Sequence, residues 1–172
     1  MLVTLEQLLN FVLPCPCALC GAPPEPLCPK CASELAILPR PVSRFDLDGW
    51  AAAAYGDQVA KLIVAYKDQG YSSLSRHLAR ALVPALESCL AATDLSPGEA
   101  FVCPIPSKRT SYQSRGFNPV ELFTNQAAKS LGLPMAPSGA LRVQTEVADQ
   151  ASLDHDGRLS NLGGAMVASG WF

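Results

Sequence analysis

Two pairs of cysteines constrain this chain more than anything else in its sequence. Cys17-Ala18-Leu19-Cys20 and Cys28-Pro29-Lys30-Cys31 are C-x2-C knuckles with seven residues between them. Each spacing puts two sulfur atoms on one tight turn, and Gly21 relaxes the backbone after the first. Four thiolates in a tetrahedron are the standard structural environment of zinc. The surrounding residues 14–31 are rich in proline and cysteine and have no hydrophobic periodicity. Such a segment cannot build a core alone, so a bound metal is expected to fold it. Iron–sulfur ligation uses the same residues and stays open as the weaker reading.

The expected ligands are Cys17, Cys20, Cys28 and Cys31. Cys15 is a spare, able to replace Cys17 in register but without the symmetry of the pair. Cys89 and Cys103 are isolated in apolar surroundings. A closed set of four thiolates leaves no open coordination position, so the site reads as structural. In a reducing compartment, such a cluster reads as a metal site rather than a disulfide framework. The N-terminus has no basic stretch and carries Glu6, which argues against a secretory signal. No apolar run is long enough to span a bilayer. The expected location is the cytoplasm.

Of the 172 residues, 49% are apolar and 16% charged, which excludes a disordered chain. Much of the apolar share is alanine, which buries little area per residue. The net charge of −2 argues against direct nucleic-acid binding by the whole molecule. Only Lys30 is basic within the knuckles, and no aromatic side chain interleaves them. A nucleic-acid-binding ribbon is therefore disfavoured.

Thr4 and Gln7 predict a capped N-terminal helix with Leu5, Leu8, Leu9 and Val12 on one face. Residues 36–49 read as a linker, broken by Pro39, Pro41 and Gly49. Residues 50–55 form a short strand-like run. Asp57 is the expected cap of a helix that Gly70 stops. A longer helix begins at Ser73 or Ser75, reaches about Thr93, and is kinked at Pro84. Residues 101–105 suit a buried parallel strand. Asn118 as N-cap, Pro119 at N1, Glu121 at N3 and Gly132 as stop mark the next helix. Residues 140–144 and 165–168 are further candidate strands, and about 153–161 a short helix. This alternation predicts an α/β domain with a largely parallel sheet flanked by helices.

Between residues 101 and 118 lie three cations, Lys108, Arg109 and Arg115, and no acid. The segment links the carboxyl end of a candidate strand to a helix N-terminus. Ligands bind at that edge of open α/β sheets, and helix N-termini favour anions. Phosphate or pyrophosphate is the ligand class this arrangement suggests; a solvated basic loop is the alternative. His77 sits within an amphipathic helix and reads as surface or packing. Asp154-His155-Asp156 reads as a helix-start acid cluster, and Asp46-Leu47-Asp48 as solvated.

The cysteine knuckles occur in order with Ala54-Tyr55-Gly56, Tyr66-Lys67-Asp68-Gln69-Gly70, Pro104-Ile105-Pro106 and Arg115-Gly116-Phe117-Asn118. Gln150, Arg158, Asn161 and Gly164-Ala165 follow. From about Cys17 onward, this pattern resembles the ComF family, phosphoribosyltransferase-like proteins tied to competence for DNA uptake. The resemblance implies a zinc-binding N-terminal segment (residues 1–35) attached to a type I phosphoribosyltransferase-like domain (residues 50–172). Phosphoribosyl pyrophosphate, with Mg²⁺, would bind over the carboxyl edge of its parallel sheet. Lys108, Arg109 and Arg115 would lie nearest the pyrophosphate. Arg158 and Asn161 match family positions without a chemical role assigned.

The fold's defining motif is an acidic pair followed closely by Thr-Thr-Gly, and the 172 residues contain neither an adjacent acidic pair nor a Thr-Gly dipeptide. Relative to the family, the chain is expected to be truncated at its C-terminus, its sheet incomplete and its transferase activity absent. The alternative function is a zinc-dependent adaptor that docks on a DNA-uptake helicase or a related competence protein.

Overall fold

The computed structural model describes residues 15–44, 47–93, 95–96, 98–107, 117–143, 157 and 164–170. The expected helices near Thr4 and over 153–161 fall outside these residues, apart from residue 157. Helix α1 spans Pro29–Glu34, strand β1 Arg40–Arg44 and strand β2 Leu47–Ala51. Helix α2 follows over Asp57–Asp68, then a single 3₁₀ turn at Ser72–Leu74 and helix α3 over Ser75–Thr93. Helix α4 covers Pro119–Ser130, and strands β3 and β4 cover Leu141–Val143 and Met166–Ala168. The chain is a mixture of helices and small sheets.

The sheets differ from the sequence expectation. β1 pairs antiparallel with β2, with Pro41 opposite Trp50, and β3 pairs antiparallel with β4. The stretch read as a linker thus supplies a strand. The run expected over 50–55 begins earlier and stops at Ala51. Among the described residues, parallel pairing is confined to the bridge between Val102 and Met135. Its bonds are Val102 N–H to the Pro134 carbonyl and Ala136 N–H to the Val102 carbonyl, both 2.9 Å. Proline explains why this ladder goes no further. Pro104 and Pro106 on one side, and Pro134 and Pro137 on the other, have no N–H to donate. Phe101 and Ile105, expected to be buried, are exposed.

The helices follow the local signals closely. Gly56, rather than Asp57, is the N-cap of α2, and Asp57 is its first helical residue. There its carboxylate lies near the positive end of the helix dipole. Gly70 adopts φ 78° and Gly132 φ 68°, a region glycine enters without steric penalty. At the end of α4, Leu133 N–H returns to the Ala128 carbonyl (2.9 Å) and Gly132 N–H to the Lys129 carbonyl (3.3 Å). This is a Schellman closure, and Leu133 is buried beside it. α3 runs from Ser75 to Thr93 through Pro84, which leaves the helix without one backbone donor.

Alanines set the closeness of α3 to α4. Ala79 and Ala85 of α3 and Ala127 and Ala128 of α4 are buried, so the helices meet with few large side chains between them. Gln126 Nε2 donates to the buried Ser75 Oγ across this contact (3.2 Å). The main cluster also takes in Leu78 of α3 and Phe123 of α4 at its margin. Leu62, Ala65 and Tyr66 of α2 and Leu74 of the 3₁₀ turn pack with Cys17, Leu27 and Cys31 of the knuckle segment. Burying a side chain such as Leu62 or Leu74 stabilises by about 1.5–3 kcal/mol. The knuckle segment therefore shares the core of the helices.

Candidate metal centre

The first knuckle is a turn. Gly21 N–H bonds to the Cys17 carbonyl (2.8 Å), and Cys17 N–H bonds to the Ala22 carbonyl (2.9 Å). Gly21 sits at φ 75°, where a side chain would be strained. Ala18 N–H then reaches the Pro26 carbonyl (3.0 Å), fastening the first knuckle to the approach of the second. Cys28 is the N-cap of α1 and Pro29 its first residue. The proline pre-sets the helical turn, so Cys28 and Cys31, three positions apart, face the same way.

The sulfur atoms of Cys17, Cys20, Cys28 and Cys31 all lie within 4.8 Å of one another. Cys20 Sγ and Cys28 Sγ are 3.7 Å apart. A tetrahedral zinc with bonds of about 2.3 Å to sulfur has sulfur–sulfur edges of roughly 3.8 Å. That separation is far longer than a disulfide bond of about 2.05 Å and matches a metal-ligand edge. The four cysteines are positioned to bind a metal ion, as their spacing predicted. Cys28 N–H points at Cys17 Sγ (3.5 Å), a contact that helps to carry negative charge on the sulfur.

Burial is uneven around the cluster. Cys17 and Cys31 are buried, Cys28 is half-buried and Cys20 is exposed. Burial disfavours the Cys17 thiolate, but backbone N–H groups of Cys28, Cys20 and Leu19, with the Cys20 thiol, outweigh it and lower its pKa to about 6. Burial pushes the Cys31 thiol up, and hydrogen bonds with the neighbouring cysteines and the charge on Cys17 push it further the same way. Like charges this close oppose joint ionisation, so four thiolates together require a cation.

The basic loop residues Lys108, Arg109 and Arg115 lie outside the described residues, as do Arg158, Asn161 and Asp154-His155-Asp156. Their flanks are described. A cleft of about 380 Å³ opens between Cys103-Pro104, the start of α4 at Asn118 and Glu121, and the Pro137–Gly139 turn. Asn118 Oδ1 accepts from Glu121 N–H (3.4 Å) and from Ser107 Oγ (2.9 Å). The capping pattern is as expected, and it has a chemical consequence. Pro119 has no N–H and the Glu121 N–H is taken, so an anion here would depend chiefly on cationic side chains.

His77 is half-buried on α3 and lines an apolar cavity of about 240 Å³ with Leu27, Leu35, Ile37 and Leu62. Burial lowers its pKa, Arg80 and Arg76 lower it further, and Glu25 opposes them. Tyr66, the first residue of the Tyr66-Lys67-Asp68-Gln69-Gly70 motif, is fully buried and donates its hydroxyl to the Pro119 carbonyl (2.7 Å). Its ring meets Phe117 and Phe123 at centroid distances of 6.0 and 6.1 Å. This tyrosine ties α2 to the start of α4, beside the cleft. No local signal in the sequence marks its partner, 53 positions away.

Among the described residues, no helix is long and apolar enough to cross a membrane. Comparison with protein-family models, with curated proteins and with solved structures finds no match to this chain.

Proposed function

We propose that the chain is a zinc-bearing, ComF-like member of the phosphoribosyltransferase-like proteins. Its Cys17, Cys20, Cys28 and Cys31 would hold one structural zinc, and its cleft at the start of α4 would face a pyrophosphate-type ligand. The observation that carries the reading is the four-sulfur cluster, with its 3.7 Å edge and its packing against the helices. Zinc supplies no catalysis here, because all four positions are filled by protein sulfur. Its role is to fix the knuckle onto α2.

The ligand half of the reading is supported by the order of the sequence motifs and by the cleft that Pro104 and Pro106 line. Lys108, Arg109 and Arg115 flank that cleft in sequence and are the proposed counter-charges. Productive capture of phosphoribosyl pyrophosphate with Mg²⁺ also calls for the acidic pair and Thr-Thr-Gly, which these 172 residues lack. We therefore expect weak pyrophosphate binding and no transferase turnover.

Calorimetric titration tests this half. Pyrophosphate should bind weakly and with salt sensitivity, and a Lys108→Ala/Arg109→Ala/Arg115→Ala chain should lose the heat. Identical curves for the two proteins would remove the phosphate reading. Micromolar, Mg²⁺-dependent binding of phosphoribosyl pyrophosphate would overturn the expected loss of activity.

A further inference from the structure

The cysteine cluster has two unlike edges. Cys17 and Cys31 belong to the buried core with Leu27, Leu62 and Tyr66. Cys20 is exposed, Cys28 is half-buried, and their sulfur atoms lie 3.7 Å apart. We propose that the Cys20–Cys28 edge is a redox-sensitive latch, oxidised first by a peroxide and releasing the metal when it closes. The inference rests on the zinc reading of the same site and adds a regulation to it.

Access selects the edge, and the 3.7 Å separation puts the second sulfur within reach of the first. A peroxide reaches Cys20 from solvent, whereas the core covers Cys17 and Cys31. The Cys20 thiolate attacks one oxygen of hydrogen peroxide, the O–O bond breaks, and Cys20 becomes a sulfenic acid as hydroxide leaves. The Cys28 thiolate then attacks the Cys20 sulfur, the S–O bond breaks, and a second hydroxide leaves. Two thiolates have lost two electrons, and one peroxide has been reduced to two hydroxides. Closing the disulfide shortens the sulfur separation from 3.7 Å to about 2.05 Å. Neither sulfur is then a thiolate ligand, and the two thiolates that remain do not complete a tetrahedral site.

The bond would join the two knuckles to each other and leave Cys17 and Cys31 in the core. Reduction by a dithiol would restore both thiolates and the site. Cys15 is half-buried and two residues from Cys17, and it is the competing thiol to be excluded.

The test uses the full chain as purified, with its zinc measured before oxidation. Hydrogen peroxide is added in less than stoichiometric amounts, and released zinc is followed with a chromogenic chelator. Differential alkylation and tandem mass spectrometry identify the first disulfide. The expected result is one zinc released per Cys20–Cys28 disulfide, reversal by dithiothreitol with added zinc, and the same pair in a Cys15→Ser chain. A zinc-loaded chain whose first disulfide includes Cys15, Cys17 or Cys31 overturns the latch alone. So does oxidation of the pair without zinc release. A chain purified without zinc overturns the metal reading and the latch together.

Discussion

Replacing Tyr66 by phenylalanine removes one oxygen atom and keeps the ring. The hydroxyl is fully buried and donates to the Pro119 carbonyl at 2.7 Å. Its loss leaves a buried carbonyl with one partner fewer, which costs about 1–3 kcal/mol. The contacts with Phe117 and Phe123 are retained, so the cost reports the hydrogen bond. Tyr66→Ala removes the ring as well and should cost about 3–5 kcal/mol, in line with large core truncations. Urea unfolding of the zinc-loaded proteins measures both. With a slope of about 2 kcal/mol per molar, the phenylalanine variant should lower the midpoint by roughly 0.5–1.5 M at unchanged slope.

Alkali supplies an independent check on the same group. Burial pushes the Tyr66 pKa from 10.0 up to about 12. A raised folded-state value means that its stabilisation is complete below pH 10 and is lost as pH rises through about 12. The stability gap between wild type and Tyr66→Phe should therefore narrow as pH climbs from 10 to 12. A phenylalanine variant as stable as wild type at neutral pH, or a gap that widens in alkali, would refute this account of the link between α2 and α4.

Three further outcomes follow from the geometry. Asn118→Ala removes the cap of α4 and the Ser107 contact together, and should lower stability by about 0.5–2 kcal/mol in thermal unfolding. Chelating the metal should increase hydrogen exchange in α2 as well as in the knuckle, because Cys17, Leu27 and Cys31 share a core with Leu62 and Tyr66. Protons compete with metal for the four thiolates, so metal content measured after equilibration should fall as acid is added.

Local chemistry was the legible part of this sequence. The C-x2-C spacing foretold a four-sulfur cluster, because three-residue offsets on a turn and on a helix start bring sulfur atoms together. Asn118-Pro119 foretold the start of α4, and Gly70 and Gly132 the closures of α2 and α4, because caps depend on a few neighbouring residues. Pairing between distant segments was harder to read. The β1–β2 hairpin looked like a linker because Pro41 and Gly49 sit inside it, yet they occupy neighbouring positions in a two-stranded ladder where few backbone groups need partners. Phe101–Ile105 looked like a buried strand from its apolar run. The prolines that bound and interrupt that run also remove the donors a longer ladder needs. The bond from Tyr66 to Pro119 depends on how α2 meets α4, and no short window of sequence contains it.

Zinc-edge X-ray absorption of the purified chain tests the central claim most directly, alongside the metal-to-protein ratio. One zinc per chain, surrounded by four sulfur atoms at about 2.3 Å, is the predicted result. Sub-stoichiometric metal, or nitrogen and oxygen in place of any of the four sulfurs, would contradict it.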